Sequence, residues 1–454
     1  MKKIGHIIFV VYAMVLPPIC IATDGTLQLE SEPSAAFTLL DIYHLARDRD
    51  PTLAIARYRV DGAGAQRDVA RGKFFPQIAL FGDWSDNKVR YERSALGQLP
   101  SQEYPGERYG LQLRSPLFNM RSFREYERQS ALVGRSEQEL AIAETELLSS
   151  LVQAYLTVLL AEESVEQFNS ELAAVSQQLE EAQALYAKSL LPVTQLLETQ
   201  TRADALRADL VHTRGQATIA RERLTQLVGV RDFRLQPIIE TVALVATVGS
   251  AESAADLAIQ FDPATAAAGE SVRAARKGID REKGSWLPEI DFVYNSQYSD
   301  VGFDNLTSPP RSSESYSISL RYPLFEGGAG AARLRGAWAE FYSAQQQLEA
   351  AKRQAGSRAR AAWVNLQTAT ERVQAARQAV TTAEVNLDAS REAVKAGTAR
   401  VTDVLIALAS STRAQRNLSE ARFQKAMGWL ELELATGSDP MTLAPEISSA
   451  LHGS

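Results

Sequence analysis

The side chains able to do chemistry are few and scattered. Four histidines (His6, His44, His212 and His452) show no metal-ligand spacing, and Cys20 is the single cysteine, so neither a disulfide nor a cysteine metal site can form. Glu326-Gly327-Gly328-Ala329-Gly330 is glycine-rich, but no Lys-Ser/Thr follows, so it is not a phosphate loop and reads as a bend. Charged side chains are plentiful yet spread along helical stretches, where most belong to solvated faces. No catalytic constellation is visible, no cofactor is implied, and an enzyme is the reading least supported. The net charge of −7 argues against a nucleic-acid partner.

What is left to explain is length and repetition. Two proline-free stretches of about 70 residues, from about Asn119 to Lys188 and from about Gly327 to Lys395, would each make a helical rod of roughly 100 Å. In the second, Leu366, Val373, Val380, Leu387 and Val394 recur every seventh residue, the seam of a coiled coil. In the first, Val165, Phe168, Leu172, Val175 and Leu179 alternate steps of three and four. The two seams superimpose with a shift of about 208 residues, a long internal repeat.

Each rod is preceded by the same elements. In repeat 1 (residues 23–228) a helix broken at Asp50-Pro51 ends at Phe75-Pro76, and alternating strands follow at 77–91 and 107–116. In repeat 2 (residues 253–436) the break falls at Asp262-Pro263, and the strands at 289–300 and 314–323. Each rod turns, near Ser189–Val193 and Ala396–Arg400, into a shorter returning helix. Residues 229–252 form a connector and 437–454 a mobile tail rich in Pro and Ser.

The N-terminus reads as a secretory signal, residues 1–22: Lys2 and Lys3, then an apolar run from Ile7 to Leu16, with cleavage after Ala22. Cys20 is also a candidate lipid-attachment site, although Pro17 and Ile19 fit poorly before one. No later stretch is long and apolar enough for a membrane helix, so any membrane entry is by β-strands. Four strands cannot close a barrel alone, because open edges cannot be hydrated in lipid and about eight strands are the minimum. The expected fold is therefore mixed α/β. Each chain gives four strands to a shared barrel; three copies would give twelve strands, and the rods would continue the barrel as a helical tube. Trp84, Tyr91, Tyr109, Tyr298, Tyr316 and Tyr322 fall where interfacial aromatic girdles would lie. Two soluble hairpins capping a coiled coil remain the alternative.

These features resemble the TolC family of outer-membrane efflux proteins over essentially the whole mature chain. The resemblance is carried by Phe75-Pro76-Gln77 and Leu287-Pro288-Glu289 entering the strands, and by Pro116-Leu117-Phe118-Asn119 and Pro323-Leu324-Phe325-Glu326-Gly327-Gly328 entering the rods. The sharpest match is the turn Lys395-Ala396-Gly397-Thr398-Ala399-Arg400-Val401-Thr402-Asp403-Val404-Leu405. It implies a homotrimeric channel-tunnel in the outer-membrane lipid of a Gram-negative bacterium, reaching into the periplasm. The implied partners are a periplasmic adaptor and an inner-membrane ABC or proton-driven transporter, and the cargo is secreted protein or small toxic compounds. It also implies a periplasmic gate at Asp403, Val394 and Arg400, with adaptor docking at Ser189, Leu190, Leu191, Gly397 and Thr398. Asp403 serves equally well as a cap of the returning helix. Val394 stands where relatives often carry tyrosine, Ile406 where many carry a second acid, and Gln195 is the uncharged counterpart of Asp403 in repeat 1. Glycine suits a left-handed turn at Gly397, whereas Ser189 shows no such requirement in repeat 1. The alternatives are a periplasmic coiled-coil adaptor and a soluble scaffold.

Overall fold

Two aspartate–proline pairs set the first joints. In a computed structural model, which describes residues 36–89, 102–231, 233–237, 244, 247–301 and 309–452, α1 (Leu39–Arg49) ends at Asp50 and α2 (Pro51–Gly72) begins directly after it. The Asp50 carboxylate accepts the Leu53 N–H at 2.7 Å. Pro51 occupies the first helical position, where a missing N–H costs nothing. Asp262 repeats the device between α5 (Ala251–Phe261) and α6 (Pro263–Gly284), accepting the Thr265 N–H at 3.0 Å. The signal segment with Cys20, Tyr91, and all but residues 244 and 247–248 of the β-branched stretch 238–248 lie outside the described residues.

The rods are continuous helices. Between them and the first joints stand β1 (Gln77–Val89) and β2 (Gln102–Phe118), and then α3 (Met120–Ala187) runs for 68 residues from its Asn119 cap to the first turn. α4 (Val193–Val228) returns along it. In the second half β3 (Glu289–Val301) and β4 (Arg311–Arg321) precede α7 (Ala329–Lys395), 67 residues long, and α8 (Val401–Ala435) returns. The bend from β4 into α7 uses Gly327 and Gly328 in succession at positive φ, 61° and 85°, a conformation that side chains oppose.

The four strands form one antiparallel sheet in the order β1-β2-β3-β4, so the central pairing joins the two repeats. Among the described residues β1 and β4 each keep one unpaired edge. Directly opposed residues share a face. The register therefore gathers Ile78, Leu80, Leu111, Leu113, Phe292, Tyr294, Tyr316, Ile318 and Leu320 on one face. Gln77, Gln112, Arg114, Asn295, Gln297, Ser315 and Ser317 fall on the other. Tyr109 stacks on Tyr298 across the repeat seam, centroids 4.9 Å apart. Gly110 is required at its site: a Cβ there would lie 2.3 Å from the Ser296 carbonyl oxygen and 2.9 Å from the Phe81 ring. The ladder extends further than side-chain alternation indicates. β2 begins at Gln102 rather than 107, because ladder bonds are made by backbone and tolerate polar residues such as Glu103 opposite Lys88. β4 runs 311–321 rather than 314–323, stopping before Pro323, which has no N–H to donate.

The helices keep the order of the strands. Below the sheet they pack as α2, α3, α6, α7, and toward the turns as α4, α3, α8, α7. Where the helices of α2 and α6 carry the strands, ion pairs stitch the layer: Arg281 to Glu125 at 3.0 Å and Lys277 to Glu127 at 3.0 Å. Burial pushes the Glu125 carboxyl up, but hydrogen bonds from Gln129 and Arg281 and the charges of Arg128 and Arg281 hold it below the usual carboxylate range. Midway along, Tyr43, Leu148, Leu151, Tyr155, Leu224 and Leu430 make the main core.

The expected mobile tail is instead a helix, α9 (Pro440–His452), seated on this core. Leu443, Ile447 and Leu451 repeat every fourth residue on one face and are buried, a spacing that outweighs the Pro and Ser content. Ile447→Ala or Leu451→Ala is expected to remove about 2–4 kcal/mol of stability. The unfolding midpoint in detergent checks this, since truncations in a mobile tail would leave it unchanged.

Candidate functional site

The candidate residues sit at the two interhelical turns, which are built alike. In the first, the Ser189 N–H donates to the Tyr186 carbonyl at 2.8 Å and the Leu190 N–H to the Leu185 carbonyl at 2.9 Å. In the second, Gly397 donates to Val394 at 3.0 Å and Thr398 to Ala393 at 2.9 Å. Both are helix endings closed by a left-handed residue. That residue is Gly397 at φ 73°, and Ser189 at φ 59°. The left-handed conformation is thus shared by the two repeats although the glycine is not, and in repeat 1 a serine carries the strain.

The returning helices start differently. α4 begins after Pro192 with no side-chain cap. At the start of α8 the exposed Asp403 carboxylate accepts the Arg400 N–H at 2.9 Å. Asp403 therefore caps its helix. Among the described residues neither Asp403 nor the Arg400 guanidinium makes an ion pair. Val394 stands apart from this pair, packed half-buried against the Leu387, Val404 and Ala407 cluster between α7 and α8. Ile406, on the exposed side of α8 beside Asp403, is 69% exposed.

The turns also differ in surface. Leu190 is 69% exposed and Leu191 half-buried, and Val193, Leu197 and Tyr186 extend the apolar surface on either side. Only Leu190 and Leu191 were identifiable beforehand, because the others sit within helical pattern and their exposure depends on how α3 and α4 are rotated. The second turn presents Ala396, Gly397 and Thr398, small and exposed.

Behind the turns, Leu405 of α8 packs with Val175, Leu179, Ala203 and Leu206 of the first hairpin, with Leu196 against them. This places both turns at one end. A charged cluster lies just above. Glu171 is 2% exposed, and Arg202 donates to its Oε1. Arg416 of α8 lies over the Phe168 ring at 4.3 Å. Burial pulls the Arg416 guanidinium below its usual range, while the Glu171 charge opposes that. Nothing in the apolar spacing distinguishes Glu171 from the solvated glutamates around it.

Among the described residues no group of three or more His, Cys, Asp or Glu is placed to hold a metal ion, and no helix is long and apolar enough to cross a membrane. The turns can present charge, present apolar surface, and hold two hairpins in register.

Residues 42–230 and 254–438 match the family model described as outer membrane efflux protein, one segment for each repeat. The chain is 26% identical over 430 residues to outer membrane protein TolC of Vibrio cholerae serotype O1, covering 93% of this chain and 95% of that one. It is 25% identical over 434 residues to the proteases secretion protein PrtF of Dickeya chrysanthemi, covering 93% and 94%. Its fold matches the crystal structure of the Campylobacter jejuni CmeC outer membrane channel with a TM-score of 0.77 at 14% identity, over 94% of this chain and 95% of that one.

The turn geometry gives opposite expectations for reciprocal substitutions. Ser189→Gly relieves a left-handed side chain and Gly397→Ser introduces one, each by about 1 kcal/mol. Hydrogen exchange at the Leu190 and Thr398 amides should slow in the first variant and quicken in the second.

Proposed function

The chain belongs to the outer membrane efflux protein family, and from that premise we propose that it is the outer-membrane duct of a tripartite export system, closed by three copies. It lies in the outer membrane and extends into the periplasm. The observation that carries the proposal is the four-stranded sheet with an apolar face, a polar face and two open edges, above helices laid in the same order. Spanning strands must close, and twelve strands do so with the apolar face to lipid and the polar face to a lumen. The duct is passive and binds no cofactor; energy comes from an inner-membrane transporter, ABC-type or proton-driven, through a periplasmic adaptor.

The turns are the adaptor-facing end. Leu190, Leu191 and the neighbouring Val193 and Leu197 offer an apolar docking patch, and Ser189, Gly397 and Thr398 set its backbone shape. Asp403 is the gate carboxylate: three copies around a narrow end would favour cations. Arg400 is tied to it through its backbone N–H, and Val394 packs the hairpin that carries both. Polypeptide export is the favoured cargo class, because PrtF, matched along nearly its whole length, is named for protease secretion. Export of small toxic compounds is the second reading, favoured by the family's description as efflux proteins.

Single-channel conductance of the purified protein in planar bilayers tests this. The expected result is a small, cation-preferring conductance that grows, and loses its preference, in Asp403→Ala. Asp403→Asn keeps an acceptor for the Arg400 N–H while removing the charge, so it should change selectivity with little change in stability. Conductance indifferent to both variants would move the gate elsewhere. A water-soluble protein without conductance would overturn the duct.

A further inference from the structure

We propose that the polar face of the sheet carries an anion-attracting ring, centred on Arg311 and Arg108, that receives acidic polypeptide in the outer half of the duct. The inference rests on the reading that this face lines a lumen.

Among the described residues the polar face carries four arginines, and they are not equivalent. Arg114 donates to Asp291 at 2.6 Å, and Arg321 stands opposite Glu289 in the register. Arg108 stands opposite Asp83 on one side and Ser299 on the other. Arg311 stands opposite that same Ser299, with no carboxylate directly across from it. The row Asp83, Arg108, Ser299, Arg311 thus holds two cations against one anion, while nearer the helices each arginine has a carboxylate of its own, Arg321 in the same row and Arg114 in the next. Neither Arg108 nor Arg311 makes an ion pair among the described residues, and both are exposed. Two strand spacings separate them, about 10 Å, comparable to the screening length at about 0.1 M salt.

The surplus is local and one-sided. The chain as a whole is acidic, at −7. On the opposite face of the same strands Glu107, Asp300 and Glu314 stand near this level, so the wall is acidic outside and basic inside. The row lies one residue beyond the stacked Tyr109–Tyr298 pair, away from the helices. Guanidinium groups match carboxylates in geometry as well as charge. In three copies the ring would oppose in sign the Asp403 carboxylates at the far end.

The test uses single channels of the full-length protein, with an oligoglutamate peptide added on the barrel side. In about 0.1 M KCl, transient blockades should be frequent, and should fall roughly threefold or more in Arg311→Gln and again at about 1 M KCl, where the screening length is about 3 Å. Arg311→Lys should keep them, and Arg108→Gln should lower them should the Arg311→Gln protein fail to insert. An oligolysine peptide should show none of these differences. Normal conductance with glutamate blockades unchanged in both glutamine variants would overturn the ring and leave the duct standing. An absence of any conductance would overturn the duct, and the ring with it.

Discussion

The unpaired backbone groups along β1 and β4 are the constraint from which the rest follows. In water an open strand edge is tolerable; in hydrocarbon each unbonded N–H or C=O costs several kcal/mol. A sheet with an apolar face such as Ile78, Leu80, Ile318 and Leu320 has its place in lipid only when both edges find partners. The helices obey the same order as the strands, so whatever closes the sheet also closes the helical layer. The ion pairs from Arg281 and Lys277 to Glu125 and Glu127 sit where that order is handed from strand to helix.

Much of this order is legible in the sequence because it is set by residues with narrow backbone preferences. Asp50-Pro51 and Asp262-Pro263 can hardly be read other than as a helix stop followed by a capped start. The proline-free runs give α3 and α7 nearly to the residue, and strict alternation locates the four strands. What escapes is decided by environment. β2 reaches back to Gln102 because the ladder needs only backbone, and side-chain polarity there is silent. α9 was hidden by Pro445, Ser448 and Ser449, yet its apolar residues at 443, 447 and 451 show that a four-residue spacing is the better guide than composition.

The turns are less legible for a related reason. Gly397 announces a left-handed residue, but Ser189 adopts the same backbone without announcing it, since the closing hydrogen bonds of the first helix impose it. Asp403 satisfies a local role as cap, and that sufficiency masks any role it has across chains. The approach of Arg416 to Phe168 and to the charge of Glu171 was invisible because α3 and α8 meet only in three dimensions.

The pairing of β2 with β3 crosses the boundary between the two repeats. One of the two kinds of seam in the proposed barrel is therefore formed inside a single polypeptide. Single repeats would need a six-body encounter to close the same ring, with a rate collapsing steeply as subunits grow dilute. Fusing them makes alternate seams intramolecular, at the high effective concentration of a tethered pair, and leaves only three molecules to meet. Duplication also frees the halves to diverge. The apolar first turn and the small, polar second turn then alternate around one rim, a surface that six identical repeats could not present.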